Sequence, residues 1–259
     1  MAPSTAPPSG RRQDRTCRTR GPLHLRPRAV RPAPRAWLPN ADEPRKRPMS
    51  HGLMPNEVAE GTRVGLAPLA RGLHRVGITA NAVTVIGVLI TLAGSALLAA
   101  AQPLPALVVL LAGALSDTLD GQLAKAAGGG TRFGAFLDST LDRVSDAALS
   151  CGAAALGATR GDAVLFWSAL GGLVASYLVS YVRAKAEAMG TTASVGLMPR
   201  EARLTVLLVG IGTWGVLGLY QVFVAAFAVV ALLSVITLVQ RIAFVARDLQ
   251  KTTPREGPR

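Results

Sequence analysis

Asp117, Asp120, Asp138 and Asp142 stand in two pairs at the facing ends of two apolar segments, within SDTLDGQLAKAAGGGTRFGAFLDSTLDRVSD. Spacings of three and four residues put both members of each pair on one helix face. Four carboxylates meeting at the edge of a bilayer require a cationic partner, and ionisable groups at membrane depth mark functional sites. An all-oxygen donor set of this size suits a hard divalent cation, Mg²⁺ or Mn²⁺, better than zinc. The four are therefore read as metal ligands. Acidic residues in membranes also serve transporters and proton relays; Asp142–Arg143 also reads as a helix-end ion pair, and Asp146, one turn further, as a satisfied polar residue.

The elements that carry these residues follow from hydropathy. Six apolar stretches lie near 80–101, 104–125, 137–158, 163–186, 202–219 and 221–244. Each is about 17–25 residues, enough at 1.5 Å per residue to cross a hydrocarbon core of about 30 Å. Backbone groups in lipid are satisfied within a segment only by helices, so the expected fold is an all-α integral membrane bundle of six transmembrane helices. Small residues, among them Gly113, Gly152, Gly157, Gly171 and Gly172, suit close helix packing in lipid. Basic residues flank the site side (Arg71, Arg75, Lys125, Arg132, Arg183, Lys185, Arg200, Arg203, Arg241, Arg247), whereas the loops AQPLP and LGLYQ carry no charge. By the positive-inside rule, both termini and the aspartates face the cytoplasm, with the chain multi-pass in the cell membrane.

The chain is 50% hydrophobic yet carries a formal charge of +13. Much of that charge sits in residues 1–50, which hold 12 Lys+Arg against 3 Asp+Glu and many prolines. The domain reading is a basic, Pro-rich disordered tail over 1–53, an interfacial segment over 54–79, the catalytic bundle over 80–246 and a basic tail over 247–259. The N-terminal tail suits anionic lipid headgroups better than nucleic acid, so no nucleic-acid partner is expected. Met49 and Met54 also make it readable as the product of an upstream start codon. It lacks the apolar centre of a secretory signal. Cys17 and Cys151 form no disulfide or metal framework, and Cys151 is expected to be a small buried hydrophobe.

From Asp117 the chain reads D-x2-D-G-x2-A-K-x8-G-x3-D-x3-D, through Gly121, Ala124, Lys125, Gly134, Asp138 and Asp142. This resembles the CDP-alcohol phosphotransferase motif at every fixed position except Lys125, where that family has arginine. Lysine keeps the charge but loses the bidentate fork. The resemblance implies a CDP-alcohol phosphatidyltransferase using Mg²⁺ or Mn²⁺, with two ions held by Asp117, Asp120, Asp138 and Asp142, and with Asp142 also the general base. It implies CDP-lipid contacts from Gly121, Ala124, Lys125 and Gly134. Near the first helix, GITANAVT resembles a further family element, with Ala80 replacing proline, and adds Asn81 and Thr84 to the nucleotide side; Asn81 is also a fair helix cap.

Within that family the chain resembles the bacterial phosphatidylinositol-phosphate synthases across nearly all of residues 54–246, through TRFGAFLDSTLDRVSD, SYVRAKAE, GLMPREARL and VITLVQRI. That resemblance implies CDP-diacylglycerol as donor, inositol 1-phosphate as acceptor and a homodimer. The acceptor phosphate would meet Ser180, Arg183, Arg200, Arg203 and Arg241, convergent donors suited to a doubly charged group. Arg183 replaces a family lysine, and Pro199 an acidic residue. Glycerol 3-phosphate is the competing acceptor, and an inactive nucleotide-binding homologue or a transporter the competing classes.

Overall fold

The structure, a computed structural model, describes residues 68–252. The tail over 1–53, Cys17, most of the 54–79 segment and residues 253–259 lie outside the described residues. Six long helices follow: α1 (Ala80–Ala99), α2 (Pro103–Ala126), α3 (Arg132–Arg160), α4 (Ala163–Ala188), α5 (Arg200–Leu217) and α6 (Tyr220–Thr252). Residues 68–75 form a short helix ahead of them. Its Ala70 is buried against Val83 and Leu123, with Leu73 and Leu119 alongside, so it docks where α1 begins and α2 ends.

Sequence chemistry sets the helix ends. Thr79 caps α1 by accepting a hydrogen bond from the Ala82 amide at 3.2 Å, so the cap is Thr79 and not Asn81. Thr131 caps α3 through the Gly134 amide at 2.9 Å, which starts that helix five residues before the apolar run. Gly128 and Gly129 adopt φ of 91° and 123° in the turn from α2 to α3, backbone that side-chain-bearing residues rarely take. Asp162 caps α4 through Leu165. Helix α6 continues through Thr252, past the expected end at 244 and into the segment read as a tail. Its 33 residues span about 50 Å, more than the hydrocarbon core.

The helices close into a ring. Helix α1 packs on α2 and α3, α2 on α5, α5 on α6, α6 on α4, and α4 on α3. Close approach at glycines tightens it. A Cβ on Gly152 would lie 2.5 Å from the Ser95 carbonyl oxygen, and one on Gly157 2.7 Å from the Phe166 amide nitrogen. Gly171 faces open space and packs on nothing. Leu98, Leu110, Leu156, Ile211, Phe223 and Phe227 belong to the main buried cluster, while the outer faces expose residues such as Ile86, Leu89, Val108, Leu232 and Val239. Cys151 belongs to that exposed surface rather than to the core. In lipid, apolar side chains need not turn inward, so small size does not predict burial.

Four helices, α1, α2, α4 and α6, are long and apolar enough to cross a membrane. Helices α3 and α5 are not among them. The former carries Asp138, Asp142, Arg143 and Asp146, and the latter opens on Arg200, Glu201 and Arg203. All-helical among the described residues, the chain is a multi-pass membrane protein whose two most polar helices converge on the carboxylates.

Candidate active site

The site lies where α2 ends, α3 begins, α4 ends and α5 begins. Asp117, Asp120 and Asp138 come together there, each offering a carboxylate oxygen within 4.8 Å of the others. Asp120 is buried, Asp138 half-buried and Asp117 exposed. Thr84 donates to Asp120 Oδ2 at 2.6 Å, with the Ala80 carbonyl a second acceptor at 3.0 Å. Thr84 thus orients a carboxylate. Oxygens alone, converging from two helices, fit a hard divalent cation.

Asp142 is placed differently from the other three. Its Oδ1 accepts an ion-paired contact from Arg200 NH2 at 2.8 Å, and its Oδ2 is 4.0 Å from Arg143 NH2. Arg200 also reaches Asp117 Oδ2 through NH1 at 3.3 Å and Asp146 Oδ1 through Nε at 3.5 Å. One guanidinium therefore links the first and last aspartates of the motif.

Gly121 faces open space, with no atom within 4 Å of where its Cβ would be. A Cβ on Gly134 would meet Asn81 Oδ1 at 3.1 Å, so this glycine admits the Asn81 side chain to the start of α3. Lys125 lies exposed in the last turn of α2, with Ala124 beside it.

All five residues chosen for an acceptor phosphate line a single cavity of about 620 Å³. Ser180, Arg183, Arg200, Arg203 and Arg241 share it with Asp142 and Arg143. Their engagements differ. Arg183 pairs with Glu187 one turn along its own helix at 2.9 Å. Arg241 is buried and donates to the Val195 and Val179 carbonyls, each at 2.9 Å, so it fastens the 191–199 loop as well as lining the cavity. Thr237 accepts from the Met198 amide and Thr191 donates to Asp248, two further ties from α6 to that loop. The loop leads directly into Arg200, so α6 sets where α5 begins.

Sequence reasoning gave Arg143 and Asp146 only ordinary structural roles and passed over Ser176. Arg143 NH1 donates to Ser180 Oγ at 2.8 Å and contacts Asp146 at 3.3 Å, and Tyr177 donates to the Arg143 carbonyl. The available signal was the register, because Asp146 continues the four-residue step of Asp138 and Asp142 along one face of α3.

Comparison with known proteins follows this geometry. Residues 77–246 match the family model for CDP-alcohol phosphatidyltransferase. The chain is 43% identical over 149 residues to the phosphatidylinositol phosphate synthase of Mycobacterium marinum, covering 56% of this chain and 63% of that protein. It is 38% identical over 178 residues to the archaetidylinositol phosphate synthase of Pyrococcus horikoshii, covering 68% and 88%. The fold matches a crystal structure of Mycobacterium tuberculosis phosphatidylinositol phosphate synthase with CDP-DAG bound, at TM-score 0.67 and 36% identity, over 75% of this chain and 97% of that one. A structure of the same enzyme in complex with manganese and citrate matches at TM-score 0.65 over 75% and 92%. With the motif, the aspartate cluster and the family match over one stretch, the chain belongs to the CDP-alcohol phosphatidyltransferase family.

Proposed function

We propose that this chain transfers the phosphatidyl group of CDP-diacylglycerol to inositol 1-phosphate, leaving phosphatidylinositol phosphate in the membrane and releasing CMP. The observation that carries the reading is the shared wall between two features. Asp142 and Arg200 border both the carboxylate cluster and the cavity lined by Ser180, Arg183, Arg203 and Arg241. A lipid donor on one side and a phosphorylated alcohol on the other would meet at Asp142. The relatives named for inositol-phosphate transfer support this acceptor.

Asp117, Asp120 and Asp138, joined by Asp142, would hold the divalent ions. When bound, such ions supply positive charge to the donor diphosphate and its leaving oxygen. The rest is positioning and proton transfer by the chain itself. Arg200 fixes one oxygen of Asp142, leaving Oδ2 to take the proton as the acceptor hydroxyl attacks the lipid-proximal phosphorus. Gly121 leaves room for the nucleotide, Asn81 and Gly134 border it, and Lys125 adds charge near the diphosphate. Arg200, Arg203 and Arg183 hold the acceptor phosphate, with Ser180 and Arg241 closing its cavity.

In this reading all six helices cross the cell membrane, with the site and both termini cytoplasmic and the basic N-terminal segment drawn to anionic lipid. Residues 80–246 form the catalytic unit, and two copies assemble as a dimer. Membranes carrying the protein, given CDP-diacylglycerol, Mn²⁺ and labelled inositol 1-phosphate, should move label into the lipid fraction. Label that stays aqueous while glycerol 3-phosphate is incorporated would replace the acceptor.

A further inference from the structure

Asp146 lines none of the 620 Å³ cavity, yet it touches three residues that do. Its Oδ2 accepts from Arg143 NH1 and Arg203 NH2, both at 3.3 Å, and from Ser176 Oγ at 3.3 Å. Its Oδ1 faces Arg200 Nε at 3.5 Å. Arg203 and Ser176 are buried, and Asp146 is the one anion that Arg203 meets among the described residues. Because Nε of Arg200 is turned to Asp146, its two terminal nitrogens face Asp117 and Asp142. Helix α3 thus supplies one carboxylate that sets the roll of guanidinium groups from α3 itself and from α5.

Resting on the proposed acceptor, we infer that Asp146 is a positioning residue that orients Arg143, Arg200 and Arg203 for the acceptor phosphate without touching it. Two effects oppose each other when its charge is removed. The cavity gains net positive charge, which attracts an anion. The arginines also lose their shared counterion and fixed direction, and a buried guanidinium such as Arg203 has little solvent to turn to. Orientation dominates, because a bidentate grip on phosphate depends on planar alignment more than on nearby charge.

The test uses the full chain in lipid nanodiscs. Asp146→Asn should weaken equilibrium binding of inositol 1-phosphate about ten-fold and raise its KM to match, while the KM for CDP-diacylglycerol changes less than two-fold. Asp146→Glu should restore most of the loss, and Ser176→Ala, which removes one hydrogen bond and no charge, should weaken acceptor binding about two- to three-fold and serves if the Asn variant does not fold. Unchanged or tighter acceptor binding, or equal losses for both substrates, would overturn the inference. A wild type that binds inositol 1-phosphate but releases no CMP would overturn the proposed activity and leave this inference to the binding comparison. A wild type that does not bind it overturns both.

Discussion

Arg200 holds Asp142 at 2.8 Å while the same guanidinium reaches Asp117 at 3.3 Å. The motif carboxylates on α2 and α3 are thereby tied to the first turn of α5, the helix that also brings Arg203 to the 620 Å³ cavity. In the proposed function, donor chemistry and acceptor recognition meet in one side chain. Replacing Arg200 with Lys keeps a positive charge but cannot serve Asp117, Asp142 and Asp146 together. CMP release should fall roughly 10²-fold in kcat/KM, a cost in the range of lost charge-assisted pairs; a loss under three-fold would mean that this bridge is incidental.

Asp142→Asn tests the proton acceptor. The amide is close to isosteric, so the helix should stand, but it cannot take a proton at Oδ2. Turnover should drop by about 10²–10⁴-fold with an unchanged thermal unfolding midpoint. Near-normal turnover would remove Asp142 from the chemistry.

Thr84→Val removes the hydroxyl that orients Asp120. Groups that steer a metal ligand commonly affect affinity by about 10–100-fold. Titration with Mn²⁺ should show at least the lower loss in T84V and little change in T84S. Equal affinity in all three would show that Asp120 needs no steering.

Gly152→Ala places a methyl 2.5 Å from the Ser95 carbonyl oxygen, a backbone atom that yields only if α1 and α3 separate. Overpacking of this kind costs about 1–3 kcal/mol. A lower unfolding temperature in detergent should result. Gly171→Ala, facing open space, should leave it unchanged.

Lys125→Arg restores the family residue on an exposed last turn. Activity should hold or rise a few-fold, since the fork adds geometry to a charge already present. A ten-fold loss would show that the surroundings are built around lysine.

What could be read in the sequence was whatever depends on local spacing. Asp117, Asp120 and Asp138 converge because helix periodicity aligns each set, a glycine turn redirects the chain after α2, and α1 packs on both α2 and α3. The five acceptor residues were chosen by resemblance, and they share one cavity. What was missed depends on which helices become neighbours. Asp146 looks like a spare charge until α4 and α5 bring Ser176, Arg200 and Arg203 to it. Cys151 was misjudged because burial in lipid does not follow hydrophobicity. Helix α6 runs past its apolar stretch, and on that extension Asp248 meets Thr191 of the 191–199 loop, a contact between distant segments that local spacing does not announce. Thr79 displaced Asn81 as cap, leaving Asn81 against Gly134.

The most direct measurement is CMP release by purified protein with CDP-diacylglycerol and Mg²⁺, comparing inositol 1-phosphate, free inositol, glycerol 3-phosphate and no acceptor. The account predicts release that depends on inositol 1-phosphate and on the metal. Release only with glycerol 3-phosphate would contradict the acceptor assignment. No release from folded, metal-loaded protein would contradict the catalytic reading altogether.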